Sequence, residues 1–195
     1  FFSLNKMQKL DRASWRRIGW FLVGIVLFAV LFTGLFIPPG DRAPTDGTST
    51  LNSGDTAWML AATGLVLFMT PGLAFFYGGM VQHHSIISTM LQCMMCIGVI
   101  SVLWIIFGFS LAFGDDRGHF IGDPWTYLWF RNVGTAPSPT FGTTIPFQLY
   151  ALFQLKFAVL TPGLTAGGYI ERIRFGPFLL YIMLFMTVIY CPVAH

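Results

Sequence analysis

Residues 153–175 read FQLKFAVLTPGLTAGGYIERIRF, and this stretch decides the fold. It is an apolar run long enough to belong to a bilayer crossing, and it stops abruptly at the charged string Glu171-Arg172-Ile173-Arg174. Phe153 and Phe157 stand four residues apart, so on a helix both rings fall on one stripe. Gly163 and Gly167 form a GxxxG step, a small-residue spacing that lets a second helix come close. Pro162 lies inside the run, where neighbouring groups must satisfy the carbonyl it frees. An aromatic pair near one end of a membrane helix suggests a narrow apolar passage rather than a catalytic site. The other reading is an ordinary pair of rings packed against neighbouring helices.

Working outward, the rest of the chain has the same character. Apolar residues make up 55% of it, charged residues 10%, and phenylalanine alone fills 21 of 195 positions. Soluble domains carry about 25% charged residues, so this composition is suited to lipid. No charge falls between Asp55 and His83 or between Ser85 and Gly114, and each interval exceeds the roughly 20 apolar residues that span a hydrocarbon core. Runs this long argue for helices, which satisfy every backbone group internally. The fold expected is an all-α membrane protein, a polytopic bundle with hydrophobic segments at 18–37, 57–81, 86–113, 147–170 and 175–194.

Charge sets the orientation. Lys6, Lys9, Arg12, Arg16 and Arg17 precede the first segment, which puts the N-terminus in the cytoplasm by the positive-inside rule. Alternation then leaves 42–55 and 115–146 outside, and Arg172 and Arg174 fall inside as the rule asks. Segment 18–37 is longer than the apolar region of a secretory signal and has no small-residue cleavage site after it. It reads as a retained anchor helix or as a leader. Residues 1–39 thus form a basic N-terminal region with an extra membrane helix or leader, 40–55 an extracytoplasmic linker, and 56–195 the main membrane domain. In the outer loop Trp125, Tyr127, Trp129 and Phe130 suit an aromatic belt at the interface. The acids outside either concentrate cations near an entrance or simply populate the side that the positive charges avoid.

Catalytic chemistry finds little support. There is no phosphate loop, no catalytic triad and no nucleic-acid motif, so neither an enzyme nor a nucleic-acid partner is expected. Cys93 and Cys96 form a CxxC in mid-helix without companion ligands, and His83 and His84 sit in a tight turn; neither pair suggests a metal or cofactor. Lys156 is the exception to the apolar rule. It lies nine residues beyond Phe147, about 14 Å into the helix, and intramembrane ionisable groups point to a function or a partner. Its direction is about 100° from Phe157, toward a subunit contact or another protein, with a backbone carbonyl or an acid as its expected structural partner.

Taken in order, DTAWML, TPGLAFFYGG, FGFSLAFGDD, FQLKFA, ERIRF and CPVAH resemble the Amt/Rh ammonium transporter family over residues 55–195. The resemblance implies an eleven-helix, trimeric fold of two inverted five-helix repeats, of which 57–194 would supply the first four helices. It implies that Phe153 and Phe157 match the paired phenylalanines at the outer mouth of the pore, Phe157 in the gate and Phe153 at the cation-recruitment site. Phe76 and Tyr77 match positions that line the lower pore. Ammonium or ammonia is the implied substrate and the bilayer the surroundings, with the bacterial inner membrane as the compartment expected. His195 matches a histidine at the outer end of the fourth helix, not a pore histidine. Both pore histidines of the family would lie beyond residue 195, so the chain reads as part of a transporter. The alternatives are a shortened structural subunit among other membrane subunits, without transport, and the input domain of an ammonium sensor.

Overall fold

A computed structural model describes residues 51–195 of the chain; the segment expected at 18–37 and most of the linker lie outside the described residues. Four helices long and apolar enough to cross a membrane follow one another: α1 (Ser53–Met80), α2 (His83–Phe113), α3 (Phe147–Gly168) and α4 (Phe175–Ala194). Asn52 starts α1 by accepting hydrogen bonds from the backbone N–H groups of Gly54 (2.8 Å) and Asp55 (3.4 Å). Such a side-chain cap satisfies donors that the first turn leaves orphaned, and Asp55 adds a negative charge where the helix dipole favours one. The helix continues through Pro71 and ends where Val81 and Gln82 turn extended.

The other helices carry interruptions that bend their registers. Residues Trp104–Gly108 of α2 and Phe185–Tyr190 of α4 are π-helical. The last turn of α3, Thr165–Gly168, tightens to a 3₁₀ helix. Between α2 and α3 the loop folds into two short antiparallel pairs. Strands β1 (Asp116–Arg117) and β2 (Ile121–Gly122) make one hairpin, β3 (Pro137–Ser138) and β4 (Gly142–Pro146) the other.

Helix α2 is the centre of the bundle, touching α1, α3 and α4. Trp104, Phe109, Phe178, Ile182 and Met186 are fully buried around it. The indole Nε1–H of Trp104 donates to the Ala151 carbonyl at 3.2 Å, which fixes α3 against α2. Two close approaches explain small residues: a Cβ on Gly163 would lie 3.2 Å from Leu73 Cδ2, and one on Gly167 3.6 Å from the Tyr77 ring. The GxxxG step of α3 is therefore the seat of α1. Helix α1 itself buries little; Trp58, Leu65, Phe68 and Phe75 are each two-thirds or more exposed, a surface suited to lipid or to further protein.

The loop departs from a simple interfacial belt. Trp125 stays 68% exposed, but Tyr127 and Phe130 turn inward and meet the buried Phe109 ring at centroid distances of 5.4 and 5.6 Å. The reason lies on α2. The buried Ser110 hydroxyl donates to the Asp123 carbonyl at 2.7 Å and accepts the Tyr127 backbone N–H at 2.9 Å, drawing the loop onto the bundle.

Candidate functional site

Helix α3 presents two unlike faces. Ala151, Leu155, Ala158 and Pro162 form a buried stripe against the bundle. Phe153 and Phe157 are only half-buried and stand about 200° around the helix from that stripe at 100° per residue. Their rings meet edge to face, centroids 5.1 Å apart and planes inclined by 70°. Edge-to-face contact is a favoured arrangement of two aromatic quadrupoles, and it leaves ring surface on the outer side of α3. Along the same stripe Leu160, one heptad beyond Phe153, is buried, while Leu164, one heptad beyond Phe157, is 52% exposed.

Lys156 is half-buried, one heptad before Gly163, and so in register with the flank on which α1 sits. No hydrogen bond or ion pair joins its ammonium to another described residue; the ion pairs among them are all in the loop or at His195. The partner expected for it is therefore not found within the described bundle.

Phe76 and Tyr77 belong to the other end of the molecule. Tyr77 packs at the level of Leu164 and Gly167, about 16 Å along α3 from Phe153 at 1.5 Å per residue. Phe76 is 60% exposed and meets Tyr77 edge to face at 5.4 Å. The Tyr77 hydroxyl donates to the Leu164 carbonyl at 2.8 Å. The structure thus brings each aromatic pair together but keeps the two pairs apart.

That phenol belongs to a set of hydroxyls gathered where α3 breaks, which the sequence pattern does not announce. Thr165 Oγ1 donates to the Pro162 carbonyl at 2.7 Å, Tyr181 donates to Thr165 Oγ1 at 2.9 Å, and Tyr169 donates to the Pro162 carbonyl at 3.2 Å. Carbonyls released by the change to a 3₁₀ turn are answered from α1, from Thr165 itself and from the following turn, while Tyr181 of α4 bonds the Thr165 hydroxyl. The one signal for it is two hydroxyl residues, Thr165 and Tyr169, flanking the Gly167-Gly168 pair. Just beyond, Glu171 in a left-handed conformation (φ 64°) accepts the Gln82 backbone N–H at 3.0 Å and ties the two short turns together.

At the end of the bundle that carries the long loop, Asp116 receives two imidazoles, His119 Nδ1 at 2.6 Å and His195 Nε2 at 3.4 Å. Partial desolvation works against its charge, but the His119 backbone N–H, the His195 ring and the charge of both imidazoles outweigh that and hold the carboxyl below its ordinary range. Among the described residues no three His, Cys, Asp or Glu side chains converge as a metal-binding set.

Four apolar helices packed with α2 at their centre, with one aromatic pair on the half-covered side of α3 and another where α3 breaks, define a polytopic helical membrane protein. The model of the Ammonium Transporter Family matches residues 57–195. The chain is 41% identical over 168 residues to an ammonium transporter of Mycobacterium tuberculosis, covering 80% of this chain and 35% of that one. It is 41% identical over 145 residues to the ammonium transporter of Bacillus subtilis, covering 74% and 35%. Among solved structures, Candida albicans Mep2 superposes with a TM-score of 0.68 at 32% identity over 77% of this chain and 32% of that chain. A sensor Amt protein shares the fold, with a TM-score of 0.63 at 21% identity over 72% and 33%. The chain belongs to the ammonium transporter family and spans about a third of the length of these relatives.

Proposed function

We propose that this chain forms one wall of a membrane passage for ammonium or ammonia, with Phe153 and Phe157 at its mouth. The observation that carries the reading is the position of the two rings. They are the half-covered aromatic stripe of a helix whose opposite face is fully packed, in a chain of this family. A ring face attracts an ammonium ion by cation–π interaction, worth about 0.5–2 kcal/mol depending on desolvation. The edge-to-face pair would recruit the cation at Phe153 and close the path to water at Phe157. Phe76 would line the opposite end, while Tyr77 holds the break in α3. The remainder of the wall comes from protein beyond the described residues, in the trimer typical of the family. In this reading residues 56–195 are part of a transporter domain in a bacterial inner membrane, with the 115–146 loop outside.

The test is uptake of radiolabelled methylammonium by cells that express the native reading frame, compared with Phe157→Ala and Phe157→Leu at equal membrane abundance. Removing the ring should change saturable uptake by about fivefold, the equivalent of one exposed cation–π contact of roughly 1 kcal/mol. The leucine variant should lie closer to alanine than to phenylalanine in affinity. Uptake indistinguishable from cells without the protein would refute transport and favour a structural or sensory role. Uptake insensitive to both substitutions would refute the assignment of the gate.

A further inference from the structure

His195 lies at the loop-bearing end of the described bundle, and its ring touches neither aromatic pair. Its side chain, 16% exposed, is held between two elements. Nδ1 lies 3.2 Å from the Ala112 carbonyl on α2, and Nε2 lies 3.4 Å from Asp116 Oδ1 at the start of β1. A carbonyl and a carboxylate can only accept. A neutral imidazole has one N–H, and only the doubly protonated ring has two. Both contacts are therefore satisfied together only when the ring is a cation.

We propose that His195 is an acid-engaged latch, which as an imidazolium clamps the β1–β2 hairpin and the end of α2 to the end of α4 and lets the hairpin go as it loses its proton. The groups around the ring are consistent with one switching site. From the loop, Asp116 faces Nε2 and also holds His119. The other loop charges are engaged elsewhere: Arg117 pairs with Asp123 at 3.7 Å, and Asp115 meets the Thr126 hydroxyl at 3.4 Å. From α2 the Ala112 carbonyl meets the ring, and on α4 the buried Cys191 thiol is turned to the Gly108 carbonyl. His119 is not an equivalent switch, since its ring is 94% exposed and its backbone N–H keeps the hairpin turn on Asp116 Oδ1 at 2.7 Å whatever the ring does.

The two partners set the direction of the pH dependence. The clamp needs Asp116 ionised and His195 charged. A carboxyl held below its ordinary range keeps its charge well into mild acid, so the clamp is engaged there. It is released when the ring gives up its proton, because one of the two acceptors then faces a bare nitrogen. It also fails in strong acid, once Asp116 is protonated.

Hydrogen exchange of the hairpin amides, residues 114–123, in the protein reconstituted in lipid nanodiscs tests this. After correction for intrinsic rates, protection should be about threefold higher at pH 5 than at pH 8, the scale of a partly exposed ion pair. His195→Gln, which keeps one donor and cannot become charged, should flatten the profile at the weaker level, while His119→Gln should leave the pH dependence in place. Protection that does not vary with pH in the unmodified protein, or a dependence that survives His195→Gln, would overturn the latch. If the glutamine variant does not fold, nitrogen-15 spectra of histidine-labelled wild-type protein decide. Ring nitrogens of His195 both hydrogen-bonded at pH 5, with the contact to Asp116 lost at pH 8, support the clamp; a ring whose contact with Asp116 is the same at both pH values overturns it.

Discussion

Replacing Ser110 by alanine should detach the long loop from the bundle, and the cost can be worked from the geometry. Ser110 is fully buried, and its hydroxyl serves two backbone groups, donating to the Asp123 carbonyl and accepting from the Tyr127 N–H. The carbonyl keeps another partner in the Thr126 N–H at 3.3 Å, so its loss is small. The Tyr127 amide has no substitute, and a donor left unsatisfied beneath the Phe109 contact costs about 1–3 kcal/mol. We expect a destabilisation of about 2 kcal/mol. At roughly 2–4 °C per kcal/mol for a chain of this size, the thermal midpoint should fall by about 4–8 °C. Intrinsic fluorescence in detergent measures the midpoint, and amide exchange at Tyr127 reports the site directly. A shift below about 1 °C together with unchanged exchange at Tyr127 would refute the view that one buried hydroxyl pins the loop.

Two other substitutions probe packing. A Cβ at Gly108 would clash with Met186 Cε, the flexible end of a buried side chain, and lie 3.1 Å from the Trp104 ring, so Gly108→Ala should cost about 1 kcal/mol, the low end of overpacking. Met186→Ala in that background should recover part of the loss while being destabilising by itself, and a thermal-denaturation cycle showing simple additivity would contradict the clash. Tyr77→Phe should cost about 0.6 kcal/mol, the average for hydrogen bonds between membrane helices, with Phe76→Leu nearly neutral because that ring is exposed; equal midpoints for Tyr77→Phe and wild type would show that the bond to Leu164 contributes nothing.

The helices were largely legible because lipid imposes a coarse rule: long uncharged runs, bounded by charge or by turn residues. Segments expected at 57–81, 86–113, 147–170 and 175–194 correspond to Ser53–Met80, His83–Phe113, Phe147–Gly168 and Phe175–Ala194. The start of α1 was missed by four residues because Asn52 caps it from within a polar stretch that reads as linker. The GxxxG step correctly marked a close helix contact, although only coordinates show that α1 occupies it. The loop was poorly legible. Its aromatic residues suit an interface, and nothing local reveals that a serine 13 residues upstream of Asp123 turns two of them inward. At the candidate site, the i, i+4 spacing fixed Phe153 and Phe157 to one stripe, but which way the stripe faces depends on the packing of Ala151, Leu155 and Ala158. The role of the Tyr77 hydroxyl was hidden for a similar reason, since its acceptor is a carbonyl 87 positions away.

The wider turns at Trp104–Gly108 and Phe185–Tyr190 also explain why periodicity alone misplaces the residues beyond them. Each accommodates about one residue more than an i→i+4 ladder would, so every later side chain is rotated by about 100° from its projected direction. On an unbroken ladder, the bearing now taken by Ser110 would fall to Phe109. A benzyl group offers the loop no oxygen, and the covering of the bundle's end thus rests on a phase slip introduced half a turn earlier.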